Sequence, residues 1–206
     1  MKKLFIFYFF FKFLVLTINP SYGFVGIALN CDDTVSVAIT AQQTCQDNDT
    51  LIITNAGSVI LSGSNTIDVD SHTGVTIDNK GTISASVNQA IDMQHAVNTT
   101  VTNSGTIEAT QRNAILMDGV NADNNTINNS GTLKAGKKQV ILATNSENTT
   151  IINSGSIETT NSSNQNTSGI NYYNTSGSAI DGATITNSGT IFAYGTGIRF
   201  GTLGIA

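Results

Sequence analysis

The side chains that could carry out chemistry in this chain are six aspartates (Asp68, Asp70, Asp78, Asp92, Asp118, Asp181), two histidines (His72, His95) and Cys31 and Cys45. Two or three carboxylates converging on one face, beside a Lys or Arg and Ca²⁺, would cleave or eliminate acidic polysaccharides. Asp92 and Asp181 each follow an Ile, but Leu116 and Leu142 hold the matching place between them, which breaks an acidic stripe. The run Asp68-Val69-Asp70-Ser71-His72 offers oxygen ligands and an imidazole to a cation, and reads equally as a solvated loop. His95 has no Cys or acidic neighbour at metal spacing and reads as a surface residue. No nucleophile-elbow motif is present. The expectation is a protein that is not an enzyme, with no cofactor and no metal.

Cys31 and Cys45 stand 14 residues apart. In an exported protein an even pair is expected to bond, here as a staple at one end of the fold. A metal pair is the alternative, though His72 and His95 are remote and there is no second Cys pair.

The elements that would position these residues are repeats. Thr76-Ile77-Asp78-Asn79-Lys80-Gly81-Thr82-Ile83 recurs as Thr100-Val101-Thr102-Asn103-Ser104-Gly105-Thr106-Ile107 and as Thr126-Ile127-Asn128-Asn129-Ser130-Gly131-Thr132-Leu133. Further copies centre on Asn153 and Gly155, on Asn187 and Gly189, and, more weakly, on Asn55 and Gly57. The Asn-to-Asn steps are 24, 24, 26, 24 and 34 residues. Apolar columns flank the Asn at −2 (Ile53, Ile77, Val101, Ile127, Ile151, Ile185) and +4 (Val59, Ile83, Ile107, Leu133, Ile157, Ile191). A further column holds Ile91, Ile115 and Ile141, with Ile180 and Ile198 after displaced spacings.

Period-two alternation on both sides of an Asn-x-Gly corner describes short half-buried strands. Such coils cannot bury their inner face alone and must stack. The fold expected is all-β, a right-handed parallel β-helix (β-solenoid) with coils of about 24 residues. In it the Gly column would supply positive φ at the corner, and the Asn column would form an amide ladder between coils. The 34-residue step places an insertion at Asn161 to Ser176, where Tyr172 and Tyr173 would lie in a loop. That loop is either an excursion with one Tyr packed on the coil or a binding loop for sugar or protein.

Composition agrees. The 206 residues are 39% hydrophobic but only 11% charged, with one Pro and no Trp. Disorder, collagen and a basic nucleic-acid binder are excluded by this balance. At the N-terminus, Met1-Lys2-Lys3 precedes an apolar run from Leu4 to Ile18, then Asn19-Pro20 and small residues up to Gly23. This is the layout of a signal peptide cleaved after Gly23. A transmembrane anchor is the alternative, but the run is short for a bilayer and holds Lys12. Residues 1–23 carry three of the nine basic side chains and no acidic one. The remainder has six basic against fourteen acidic groups, a net charge of −8. It also has no Pro, and no aromatic residue between positions 25 and 171.

The Asn-Ser-Gly-Thr-Ile coils, over roughly residues 51–206, resemble the start of an autotransporter passenger domain, the secreted part of a type V secretion protein of Gram-negative bacteria. The resemblance implies a surface-exposed or secreted protein, commonly an adhesin, that meets host cell-surface or matrix molecules. It also implies an outer-membrane β-barrel translocator. No length for such a barrel follows Ala206, so a fragment is expected, periplasmic without the barrel and extracellular or at the cell surface with it. The organisation expected is a signal peptide (1–23), an N-terminal cap with the disulfide (24–50) and β-helix repeats (51–206), incomplete at the C-terminus. An uncapped last coil would favour self-association. The alternative function is a polysaccharide-acting, pectate-lyase-like β-helix enzyme.

Overall fold

The computed structural model describes residues 31–163, 167–175 and 180–202; the segment read as a signal peptide (1–23) lies outside the described residues. The described chain is all β, with no helix, and winds into a parallel β-solenoid of about six turns. Each turn contributes one short strand to each of three seven-stranded parallel sheets. Sheet one holds Thr34–Val35, Thr50–Ile53, Thr76–Asn79, Thr100–Asn103, Thr126–Asn129, Thr150–Asn153 and Thr184–Asn187. Sheet two holds Ala38–Ile39, Ser58–Leu61, Thr82–Ala85, Thr106–Ala109, Thr132–Ala135, Ser156–Thr159 and Thr190–Phe192. Sheet three holds Gln43–Thr44, Ile67–Asp68, Ile91–Asp92, Ile115–Asp118, Ile141–Thr144, Ser168–Asn174 and Thr196–Thr202. Residues 31–49 thus already supply strands that pair in register with the next coil.

Alternation decides which residues face inward. In Thr100–Asn103 and its neighbours, Val101 and Asn103 point into the solenoid while Thr100 and Thr102 face outward. Parallel pairing in register then stacks like on like: Ile77, Val101, Ile127, Ile151 and Ile185 form one inner column. Ile83, Ile107, Leu133, Ile157 and Ile191 form a second. β-branched side chains suit such columns because their restricted χ1 already matches the pleat. Each fully buried Ile contributes about 1.5–3 kcal/mol relative to an exposed one.

The Asn column behaves as the sequence suggests from Asn79 onward. Asn79, Asn103, Asn129 and Asn153 are buried, and each donates from Nδ2 to Oδ1 of the next coil's Asn over 2.7 Å, ending on Asn187. Asn55 is not a member. Register sets Ile53 opposite Asn79 and Leu51 opposite Ile77, so the first corner is two residues longer and Asn55 sits exposed in it. Apolar matching of Leu51 and Ile53 to the inner face overrides the match of motif to motif.

The Gly column needs glycine for a different reason from the one expected. Gly57, Gly81, Gly105, Gly131, Gly155 and Gly189 do not have positive φ. A Cβ on Gly105 would overlap the carbonyl oxygen of Gly81 one coil earlier, and the same holds up the column. Close approach of stacked backbones, not handedness, excludes other residues there. Positive φ occurs instead chiefly in the connection from sheet three to sheet one, at two recurring positions and at Asn121. One recurring position comprises Asn48, Gly74, Asn98, Asn124, Asn148 and Gly182; the other comprises Ser71, His95, Gly119 and Asn145. Asn tolerates this left-handed conformation better than other residues with a Cβ.

The 34-residue step is divided between two excursions that flank Ser168–Asn174, rather than forming one loop. Tyr172 and Tyr173 therefore lie in sheet three, opposite Ala143 and Thr144. Tyr172 is 0% exposed and Tyr173 is half-buried, so the first is a core residue and neither sits in a loop. The inner column of that sheet runs Ile91, Ile115, Ile141, Ile170 and Ile198; Ile170 holds the place expected for Ile180. In the last described coil, Ile198 and Phe200 are 41% and 51% exposed although they face the same way as buried Ile170 and Tyr172.

Candidate functional site

The residues able to do chemistry gather where sheet three meets the following corner, in the first coils. One outward column of that sheet reads Thr44, Asp68, Asp92, Leu116, Leu142, Asn171 and Arg199, each paired in register with the next. Asp68 and Asp92 are thus neighbours about 4.8 Å apart along the stack, whereas Asp181 stands outside this column.

Asp92 is only 5% exposed. Its Oδ2 accepts from Asn65 Nδ2 at 2.6 Å and its Oδ1 from the Gln94 N–H at 3.2 Å. Burial pushes its carboxyl up to about 6, against the pull of the Gln94 N–H, with Asp68 and Asp70 adding to the rise. Asp68 accepts from Gln42 Nε2 at 3.3 Å.

Beside them run two Asp–His pairs made between coils. His72 Nδ1 lies 3.1 Å from Asp47 Oδ1, and His95 Nδ1 lies 3.1 Å from Asp70 Oδ1. The Thr73 N–H, first, and then His72 hold Asp47 below the usual carboxylate range. The expectation that His95 has no acidic neighbour is corrected here. Its partner comes from the preceding coil, 25 positions away, a spacing that no local motif can reveal. A search for acid–base pairs one coil apart would have found both.

Asp78 lies in sheet one, where it pairs with Lys80 at 2.9 Å. Asp118 ends its strand opposite Thr144, and Asp181 sits in the corner before Thr184. Only Asp68, Asp70 and Asp92 are therefore brought together. Among the described residues, no group of three or more His, Cys, Asp and Glu has the arrangement of a metal centre. Chemically, the site offers one carboxyl that holds its proton to near-neutral pH beside a second, stacked carboxylate.

Cys31 and Cys45 form a disulfide across a Cα separation of 4.5 Å, and both sulfurs are buried at the first coil. Tyr172 donates from its hydroxyl to the Ser146 carbonyl oxygen at 2.6 Å and has its ring centroid 5.4 Å from that of Phe200.

The fold and its columns define the class: a parallel β-solenoid of Thr- and Asn-rich repeats. No protein family, curated protein or solved structure matches the chain.

Proposed function

We propose that the chain is an exported, autotransporter passenger-like β-solenoid, surface-exposed or secreted, whose role is adhesive or structural rather than catalytic. The observation that carries this reading is the unbroken in-register stacking of coils with largely polar outward columns. The solenoid's lateral faces repeat from coil to coil, which suits adhesion to host cell-surface or matrix molecules. The buried Cys31–Cys45 bond suits an oxidising compartment outside the cytoplasm. An outer-membrane β-barrel is the translocator such a passenger requires.

The test is retention of the purified chain on cultured host cells and on matrix proteins. Saturable binding is the expected result, and binding no greater than that of an unrelated acidic protein would count against adhesion. A polysaccharide-acting enzyme is the second reading, favoured by the stacked Asp68–Asp92 pair. Turnover of a polyuronate that disappears in Asp92→Asn would establish it.

A further inference from the structure

One corner of the solenoid collects cations in an otherwise acidic molecule. The turn between sheets two and three passes through residues 86–90, 110–114 and 136–140 in successive coils. Backbone bonds from Thr110 N to Ala85 O, Gly136 N to Ala109 O and Ile115 N to Val140 O fix their register. Arg112 and Lys138 consequently occupy the same position one coil apart, and Lys137 stands beyond Gln111. With Ser86, Val87, Thr110 and Gln111 these three cations line an open groove of about 880 Å³.

The remaining charges of the nearby sheet are arranged differently. Lys134 stands in register between Glu108 and Glu158 and lies 3.6 Å from the latter; Lys80 is paired with Asp78. No carboxylate pairs with Arg112 or Lys138 among the described residues. Like charges stacked on neighbouring strands cost stability, and an arginine cannot relieve the repulsion by losing its proton. An anion bridging the two would remove it.

We propose that this corner binds a linear anionic glycan through its sulfate or carboxylate groups. The spacing fits: Arg112 and Lys138 are about 5 Å apart along the stack, a distance one charged group can bridge. The groove lining adds the Ser86 and Thr110 hydroxyls and the Gln111 amide for sugar hydroxyls. Val87, 49% exposed, offers an apolar contact for a ring face. The site deepens the adhesive reading by naming a ligand class, yet binding in vitro tests it whether or not the chain is exported or meets a host cell.

The experiment measures equilibrium binding of the purified chain at low salt to heparin (sulfated), polygalacturonate (carboxylate only) and dextran (neutral). Retention of heparin, polygalacturonate or both is expected, and which one is retained identifies the anion. Dextran is expected not to bind, and 1 M salt is expected to abolish the interaction by screening. Arg112→Ser/Lys138→Ser should weaken binding about tenfold or more, whereas Lys80→Ser/Lys134→Ser, with the same change of charge, should leave it within about twofold. Glycan should also slow acetylation of the Lys137 and Lys138 amines in the unaltered protein relative to Lys80 and Lys134, a readout independent of variant folding. Equal binding of dextran, undiminished binding by the corner variant, absence of protection, or binding only to anionic lipid vesicles would each overturn the proposal.

Discussion

Asn103 donates from Nδ2 to Oδ1 of Asn129 over 2.7 Å, although the two stand 26 residues apart. The same nitrogen lies within 3.3 Å of the Gly105 and Thr132 carbonyl oxygens, so one buried amide ties two coils and their corner together.

Asn103→Ala removes the acceptor of Asn79 and the donor of Asn129 at once. Asn79 Nδ2 keeps the Gly81 and Thr106 carbonyl oxygens, but Asn129 Oδ1 is left buried without a donor, which costs about 1–3 kcal/mol, and urea unfolding should shift by that amount. Asn55→Ala, in the same Asn-x-Gly motif but outside the ladder, should stay within about 0.5 kcal/mol. Equal effects from the two would contradict the register that places Ile53 opposite Asn79.

The two kinds of corner separate by substitution. Gly105→Ala should be destabilising through overlap with the Gly81 carbonyl, at a cost of at least about 1–3 kcal/mol. Asn98→Gly, at φ 53°, should be close to neutral, while Asn98→Val should cost about 1–2 kcal/mol. Thermal melting of the three variants checks the order.

The fold was readable because stacking turns sequence periodicity directly into columns, and Ile77 to Ile185 or Asn103 to Asn187 can be aligned by eye. What could not be read depended on contacts between coils. Asn55 carries the motif but loses the ladder because Leu51 and Ile53 fit the inner face better. Gly105 is required by a carbonyl 24 residues away, and His95 finds its carboxylate in the preceding coil. Tyr172 reads as a loop residue when the ten inserted residues of the 34-residue step form a single block. Their division into two excursions lets Ser168–Asn174 keep its place in sheet three.

That placement makes Tyr172 a core residue whose hydroxyl is satisfied by Ser146. Tyr172→Phe should lose about 1–2 kcal/mol by orphaning part of that buried polar pair, and Tyr172→Ala about 3–5 kcal/mol by leaving a cavity. Tyr173→Ala should do less. Denaturant midpoints of the three test this.

Asp92 makes stability depend on pH. Its carboxyl is raised to about 6 in the folded chain against 3.8 in the unfolded one. Folding therefore favours the protonated form, and the contribution is complete below the unfolded value and lost as pH rises through about 6. The loss amounts to about 2–3 kcal/mol. Asp92→Asn should remove this dependence, so its stability relative to the parent should improve between pH 4 and pH 8. Parallel pH profiles for the two proteins would contradict the burial of that carboxylate.

Export is tested most directly by the intact mass and N-terminal sequence of the protein recovered from a Gram-negative cell envelope after expression of residues 1–206. The expected species begins at Phe24 and is lighter by two hydrogens than the reduced chain, as the Cys31–Cys45 bond requires. A cytoplasmic species still beginning at Met1, with both thiols free, would contradict it.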